Sequence, residues 1–304
     1  MNDLSRVVLS NGALEAEIAP HLGARLCRFT AGGNPSSRTN DLELVVPLHA
    51  WDAPEHGWPK AGAYPLIPYS NRIADARLSF DGTEHALEPH PLDPPNTLHG
   101  HAQRRAWRVL ASDSYRAELL LSEAATSHWP WPFDACITFT LRARALDVSF
   151  ELSNTGSQPM PAGLGWHPFL ATDAHTCIHF AARRRWELDE RLLPTGSSSV
   201  AEQPYILTPR DWQTHDCAIY ASEWNGAARI ERRTGTLHMT ADGPLTHLVV
   251  YAPRGGALCC VEPVSHLANG FNLAARGVEG TGTHVLAPGE RWQARVTLGW
   301  EPAR

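Results

Sequence analysis

The 304-residue sequence predicts an all-β protein, one large antiparallel domain built as a sandwich with long sheets. Three observations carry this. Segments alternate apolar and polar residues with period two, short turn dipeptides separate them, and no amphipathic segment runs to four helical turns. Residues 6–10 and 14–18 flank Asn11-Gly12, a dipeptide suited to the positive backbone angles of a type I′ hairpin. Residues 78–80 and 84–87 flank Asp81-Gly82 in the same way. Residues 133–141, 146–152, 236–240 and 292–298 alternate as half-buried strands do, placing every second side chain on one core face. Twenty-four prolines and 23 glycines are scattered and punctuate turns. Gly196-Ser197-Ser198-Ser199 reads as a surface loop too short to divide domains, so a single domain over residues 1–304 is expected.

Composition narrows the function. Charged residues make up 19% and the net charge is −6, so the basic face a nucleic-acid partner needs is missing. The Arg183-Arg184-Arg185 run reads as solvated charge. Met1 to Arg6 lacks the apolar core of a signal peptide, and no apolar run approaches the length of a membrane-spanning helix. Six cysteines show no Cys-x-x-Cys spacing, so reduced thiols and a cytoplasmic location are expected. An exposed sheet edge would suit either a monomer or a homodimer.

Four turn-rich motifs present polar groups among apolar neighbours. Asn71 and Arg72 close a segment stiffened by Pro65 and Pro68. Arginine offers a rigid fork of donors and asparagine both donor and acceptor, which matches vicinal hydroxyls; an ion pair joining two loops is the other reading. His99 precedes Gly100, whose freedom allows a tight turn exposing the imidazole, or the imidazole serves as a structural hydrogen-bond partner. His167 lies between Trp166 and Pro168-Phe169, where aromatic packing depresses an imidazole's pKa, or where it fills a packed corner. Glu262 ends an apolar stretch, where a carboxylate is either paired, for instance with Arg72, or is a base with a raised pKa. Asp216 borders another apolar strand and reads locally as a turn cap.

Sixteen histidines raise the question of a metal, but the surroundings of His99, His101, His167 and His266 are Pro- and Gly-rich rather than helical. No Gly-x-Ser-x-Gly, phosphate-binding glycine loop or dinucleotide fingerprint occurs. A matched acid and base acting on an uncharged polar ligand is the chemistry these residues suit best.

Together the Pro-x-x-Pro-Tyr-Ser-Asn-Arg-Ile, Leu-His-Gly, Gly-Trp-His-Pro-Phe and Val-Glu-Pro segments resemble the signatures of the aldose 1-epimerase (mutarotase) family, in that family's order, across residues 62–272. The resemblance implies a β-supersandwich and interconversion of α and β anomers of a sugar. It implies His167 as acid on the ring oxygen and Glu262 as base on the C1 hydroxyl. It also implies that Asn71, Arg72, His99 and Asp216 hold sugar hydroxyls, and that no cofactor or metal is needed. Two positions depart from the pattern of galactose mutarotases: His101 stands where a second glycine is usual, and Val249 where a polar residue sometimes binds sugar. Both bear on the choice of sugar. Other readings are a hexose-phosphate epimerase of the same fold, needing further arginines in the pocket, and a sugar-binding protein without turnover. A glycosidase or lyase would need a carboxylate facing Glu262, with Asp216 the only named candidate.

Overall fold

The computed structural model describes residues 6–32, 42–49 and 59–303; the reading of the first five residues lies outside them. Among the described residues, eighteen strands join in one antiparallel network, with three separate two-stranded ribbons. The one α-helix described, Gly270–Ala275, is six residues long.

The network has two limbs that meet on one strand. The 16-residue strand Cys217–Arg232 pairs through its first six residues with His247–Ala252 and through its last six with Gly235–Asp242. Between them Glu223 (φ 55°) and Gly226 (φ 78°) take left-handed conformations that break the regular pleat. From Gly235–Asp242 the first limb continues to Arg291–Pro302, Ala145–Asn154, Phe133–Arg142 and Arg116–Glu123. From His247–Ala252 the second runs to Leu258–Val264, Trp166–Ala171, Ala63–Pro65, Arg25–Ala31 and Leu14–Ala19. One apolar cluster draws from both limbs, with Ile18, Leu26 and Phe29 from one and Ile137, Phe139, Val148 and Val296 from the other.

The alternating segments are strands as expected. In Phe133–Arg142 the residues Phe133, Ala135, Ile137, Phe139 and Leu141 are buried and the residues between them are not. Asp81 and Gly82 both take positive φ in a two-residue hairpin loop. Asn11 does not. Only Gly12 is left-handed there, and Asn11 Oδ1 instead accepts the N–H groups of Ala13 and Leu14. The side chain, rather than a type I′ backbone, organises that turn.

Ser197, Ser198 and Ser199 are at the surface but not in a loop. They belong to the strand Pro194–Val200, which pairs with Cys177–Leu188. Ladder pairing needs backbone groups and not apolar side chains, so an edge strand of serines carries no hydrophobic signal. Arg183 and Arg184 are solvated and share the carboxylate of Glu223. All six cysteines are free thiols.

Candidate active site

Strand register brings the third and fourth motifs face to face. Phe169 is opposite Cys260 on neighbouring antiparallel strands, and Gly165 bridges Val264. His167 and Glu262 lie midway between those two pairings and are therefore opposed. Pro168 and Pro263 beside them carry no N–H, so the ladder stays open there. Opposed residues share a face, as do residues two apart. His167 and Phe169, Cys260 and Glu262, Tyr251 and Val249, and Tyr220 thus line one surface across four strands.

His167 Nε2 is 3.3 Å from Glu262 Oε1, and both side chains are only 4% exposed. Tyr64 stacks on the imidazole at 4.8 Å and Phe169 lies at 4.6 Å on it. Arg25 in turn covers Tyr64 at 4.4 Å. Burial holds His167 well below its ordinary range, to about 3, with Arg25 adding repulsion. Burial pushes Glu262 up to about 8, against the pull of Arg72. Both shifts have one cause, since neither charge is solvated. Near neutral pH the pair therefore holds one proton for two sites.

The first two motifs form the adjoining wall. Asn71 and His99 hold each other: the His99 N–H donates to the Asn71 carbonyl, and the Asn71 N–H donates to His99 Nδ1 at 3.1 Å. Burial keeps His99 neutral, with His167 and Arg72 adding to the effect. An imidazole accepting at Nδ1 carries its proton on Nε2, so that side of the ring is a donor. Asn71 Nδ2 donates to Tyr220 Oη at 3.2 Å. Arg72 does not pair with Glu262; its Nε and Nη2 grip Asp93 at 2.9 and 3.2 Å. The ion pair between loops and the position beside the site thus coexist.

Asp216 is on the rim and exposed. It accepts from Tyr251 Oη and from the Arg254 N–H, both at 2.8 Å. Both partners lie far along the chain, so these bonds tie the Asp216 loop to the turn at Arg254, and Tyr251 links it to the face that carries Cys260.

Several residues that build the site were given no role from the sequence. His266 Nε2 accepts the Ser70 N–H while its Nδ1 contacts the Leu267 carbonyl, which fixes the chain just before Asn71. A Cβ on Gly163 would lie 2.3 Å from His266 Nε2, so glycine makes that brace possible. Tyr64, Tyr220 and Asp93 carried no signal of their own; their roles come from pairing across the sheet and between loops. His101 is buried against Glu123, 3.1 Å away, and stacks on His128, so its role here is structural. His167, Cys260 and Glu262 have ligand atoms within 4.8 Å of one another, a set whose chemistry would also suit a soft cation.

Residues 5–299 match the sequence model of the aldose 1-epimerase family, and the chain belongs to that family. The chain is 28% identical over 254 residues to the uncharacterized Escherichia coli (strain K12) protein YphB, covering 78% of this chain and 83% of that one. The crystal structure of the GalM/aldose epimerase homologue from C. elegans superposes with a TM-score of 0.82 at 16% identity, covering 99% of both chains. A galactose 1-epimerase from Lactobacillus acidophilus NCFM superposes at 0.74 and 15% identity, over 98% of this chain and 94% of that one. At those identities the structural likeness establishes the galactose-mutarotase-like fold.

Proposed function

We propose that this protein interconverts the α and β anomers of a free aldose. The observation that carries this reading is the opposed His167–Glu262 pair, 3.3 Å apart and buried. Ring opening delivers a proton to the ring oxygen and removes one from the C1 hydroxyl. Those two oxygens share one carbon, so an acid and a base in contact can serve both. The reaction changes no net proton count, and a pair holding one proton supplies and recovers it. No cofactor enters the scheme.

In the ligand-free site burial leaves the proton on Glu262. A C1 hydroxyl donating to Glu262 favours the carboxylate, and a ring oxygen accepting from His167 favours the imidazolium. Sugar binding thereby moves the proton to His167, which becomes the acid while Glu262 becomes the base. Reclosure on the other face of the aldehyde reverses the roles. Each positioned transfer contributes on the order of 10²–10⁴-fold. Asn71, Arg72 and His99 hold hydroxyls, with Asp216 reaching the sugar from the rim.

A free sugar is favoured over a sugar phosphate by the charges at the pair. Arg72, which acts on Glu262, is already held by Asp93; Arg25, which acts on His167, is stacked on Tyr64; and Arg105 is committed to Glu123. A phosphate would want a second arginine in the pocket. Polarimetry of freshly dissolved α-glucose, galactose, xylose and arabinose tests the reading, with the 6-phosphates of the two hexoses run alongside. Faster equilibration of a free sugar is expected. Acceleration of the phosphates alone would replace this reading by the phosphate one, and acceleration of none would favour a binder without turnover. The soluble interior of the cell, where free aldoses arise, is the proposed location.

A further inference from the structure

A sheet offers a metal-ligand spacing that helix-based motifs miss. Residues two apart on a strand share a face, and a third residue directly across on the next strand completes a triangle. Cys177 and His179 are half-buried on the outer face of Cys177–Leu188, while Ile178 and Phe180 enter the core. The neighbouring strand places Glu231 opposite Cys177 and Arg229 opposite His179. The ligand atoms of Cys177, His179 and Glu231 all lie within 4.8 Å of one another. His179 Nε2 is 3.3 Å from Glu231 Oε2, and Arg229 Nε holds the other carboxylate oxygen at 2.9 Å. That hold orients the glutamate and aims Oε2 at the histidine, as outer partners of ligating carboxylates do.

A divalent cation would bridge the Cys177 sulfur and the Glu231 carboxylate, with the thiol proton released to solvent on binding. The donors are one sulfur, one imidazole nitrogen and one oxygen, a set that suits zinc rather than magnesium or calcium. Tetrahedral zinc would bring them to roughly 3.5 Å apart, a closure within reach of side-chain rotation on a half-exposed face. The site is remote from the His167–Glu262 pair, since Glu231 and Tyr220 stand near opposite ends of one long strand.

We propose that Cys177, His179 and Glu231 bind a zinc-class divalent cation, with solvent in the fourth position. The ion would clamp the start of Cys177–Leu188 to the end of Cys217–Arg232. The test is a cobalt(II) titration of the full chain, read by the near-ultraviolet thiolate charge-transfer band, followed by displacement with zinc. One equivalent is expected, with the band absent in Cys177→Ala, affinity at least tenfold weaker in Glu231→Gln and His179→Gln, and the band retained in Cys260→Ala. Far-ultraviolet circular dichroism of each variant separates lost binding from lost fold. Two results would overturn the proposal: no thiolate band up to millimolar cobalt, or a band that persists in Cys177→Ala and vanishes in Cys260→Ala.

Discussion

His167 combines the two roles its local sequence leaves open. It is packed between Tyr64 and Phe169, and it faces a carboxylate across an open ladder. The packing keeps it neutral and the opposition gives it a proton partner. Glu262→Gln keeps the shape and removes the base, so turnover should fall by roughly 10²–10⁴-fold with an unchanged circular dichroism spectrum. Near-native turnover would take Glu262 out of the chemistry. His167→Asn should lower kcat by a similar factor with a smaller change in KM, measured on the same anomer. The residue types of this site were legible because each stands in a motif rich in turn residues and aromatics. Their partners were not. Nothing in the local sequence pairs Arg72 with Asp93 rather than Glu262, since that choice is made by where two loops meet.

Elements tell a similar story. The strands that could be read from sequence belong mainly to the limb with one wet face, where alternation is visible. Leu258–Val264 and Arg25–Ala31 are buried almost throughout, so neither alternates between a wet and a dry face and their register was hidden. That register sets Glu262 against His167. Loops carry the remaining groups, and two are held by specific devices. His99 and Gly100 both take φ of 63°, and a Cβ on Gly100 would lie 2.0 Å from the Ile67 carbonyl oxygen. Gly100→Ala should destabilise the fold by about 2 kcal/mol or more, read from urea midpoints, and should weaken sugar binding by shifting His99. A variant as stable as the native chain would show that this turn relaxes freely. Asp93→Asn removes the charge that anchors Arg72. It should raise KM about tenfold, equivalent to about 1.4 kcal/mol, and leave kcat within a small factor. A loss confined to kcat would place Arg72 on the reacting atoms instead.

At the scale of the whole molecule, two buried groups kept neutral make stability depend on pH in opposite senses. Glu262 titrates near 4.5 when unfolded and near about 8 when folded. Across that window the folded chain retains a proton that the unfolded chain has lost, so rising pH costs stability. His167 moves from 6.5 down to about 3 on folding, so falling pH costs stability across its own window. The two slopes oppose each other between 4.5 and 6.5, and Glu262 dominates above. Glu262→Gln should therefore gain on the native chain as pH rises from 4.5 to 8, by at most about 1.4 kcal/mol per unit. A variant that loses ground instead would mean that Glu262 is ionised in the ligand-free fold.

In the proposed mechanism the opposed pair opens and recloses a sugar ring. Two-dimensional exchange NMR on an equilibrated aldose measures this directly, because cross-peaks between the α and β C1 protons report interconversion with no net reaction. Cross-peaks are expected with the native protein at mixing times where buffer gives none, and their loss is expected in both Glu262→Gln and His167→Asn. Equal cross-peaks in either variant, or none with the native protein and any free aldose tried, would contradict it.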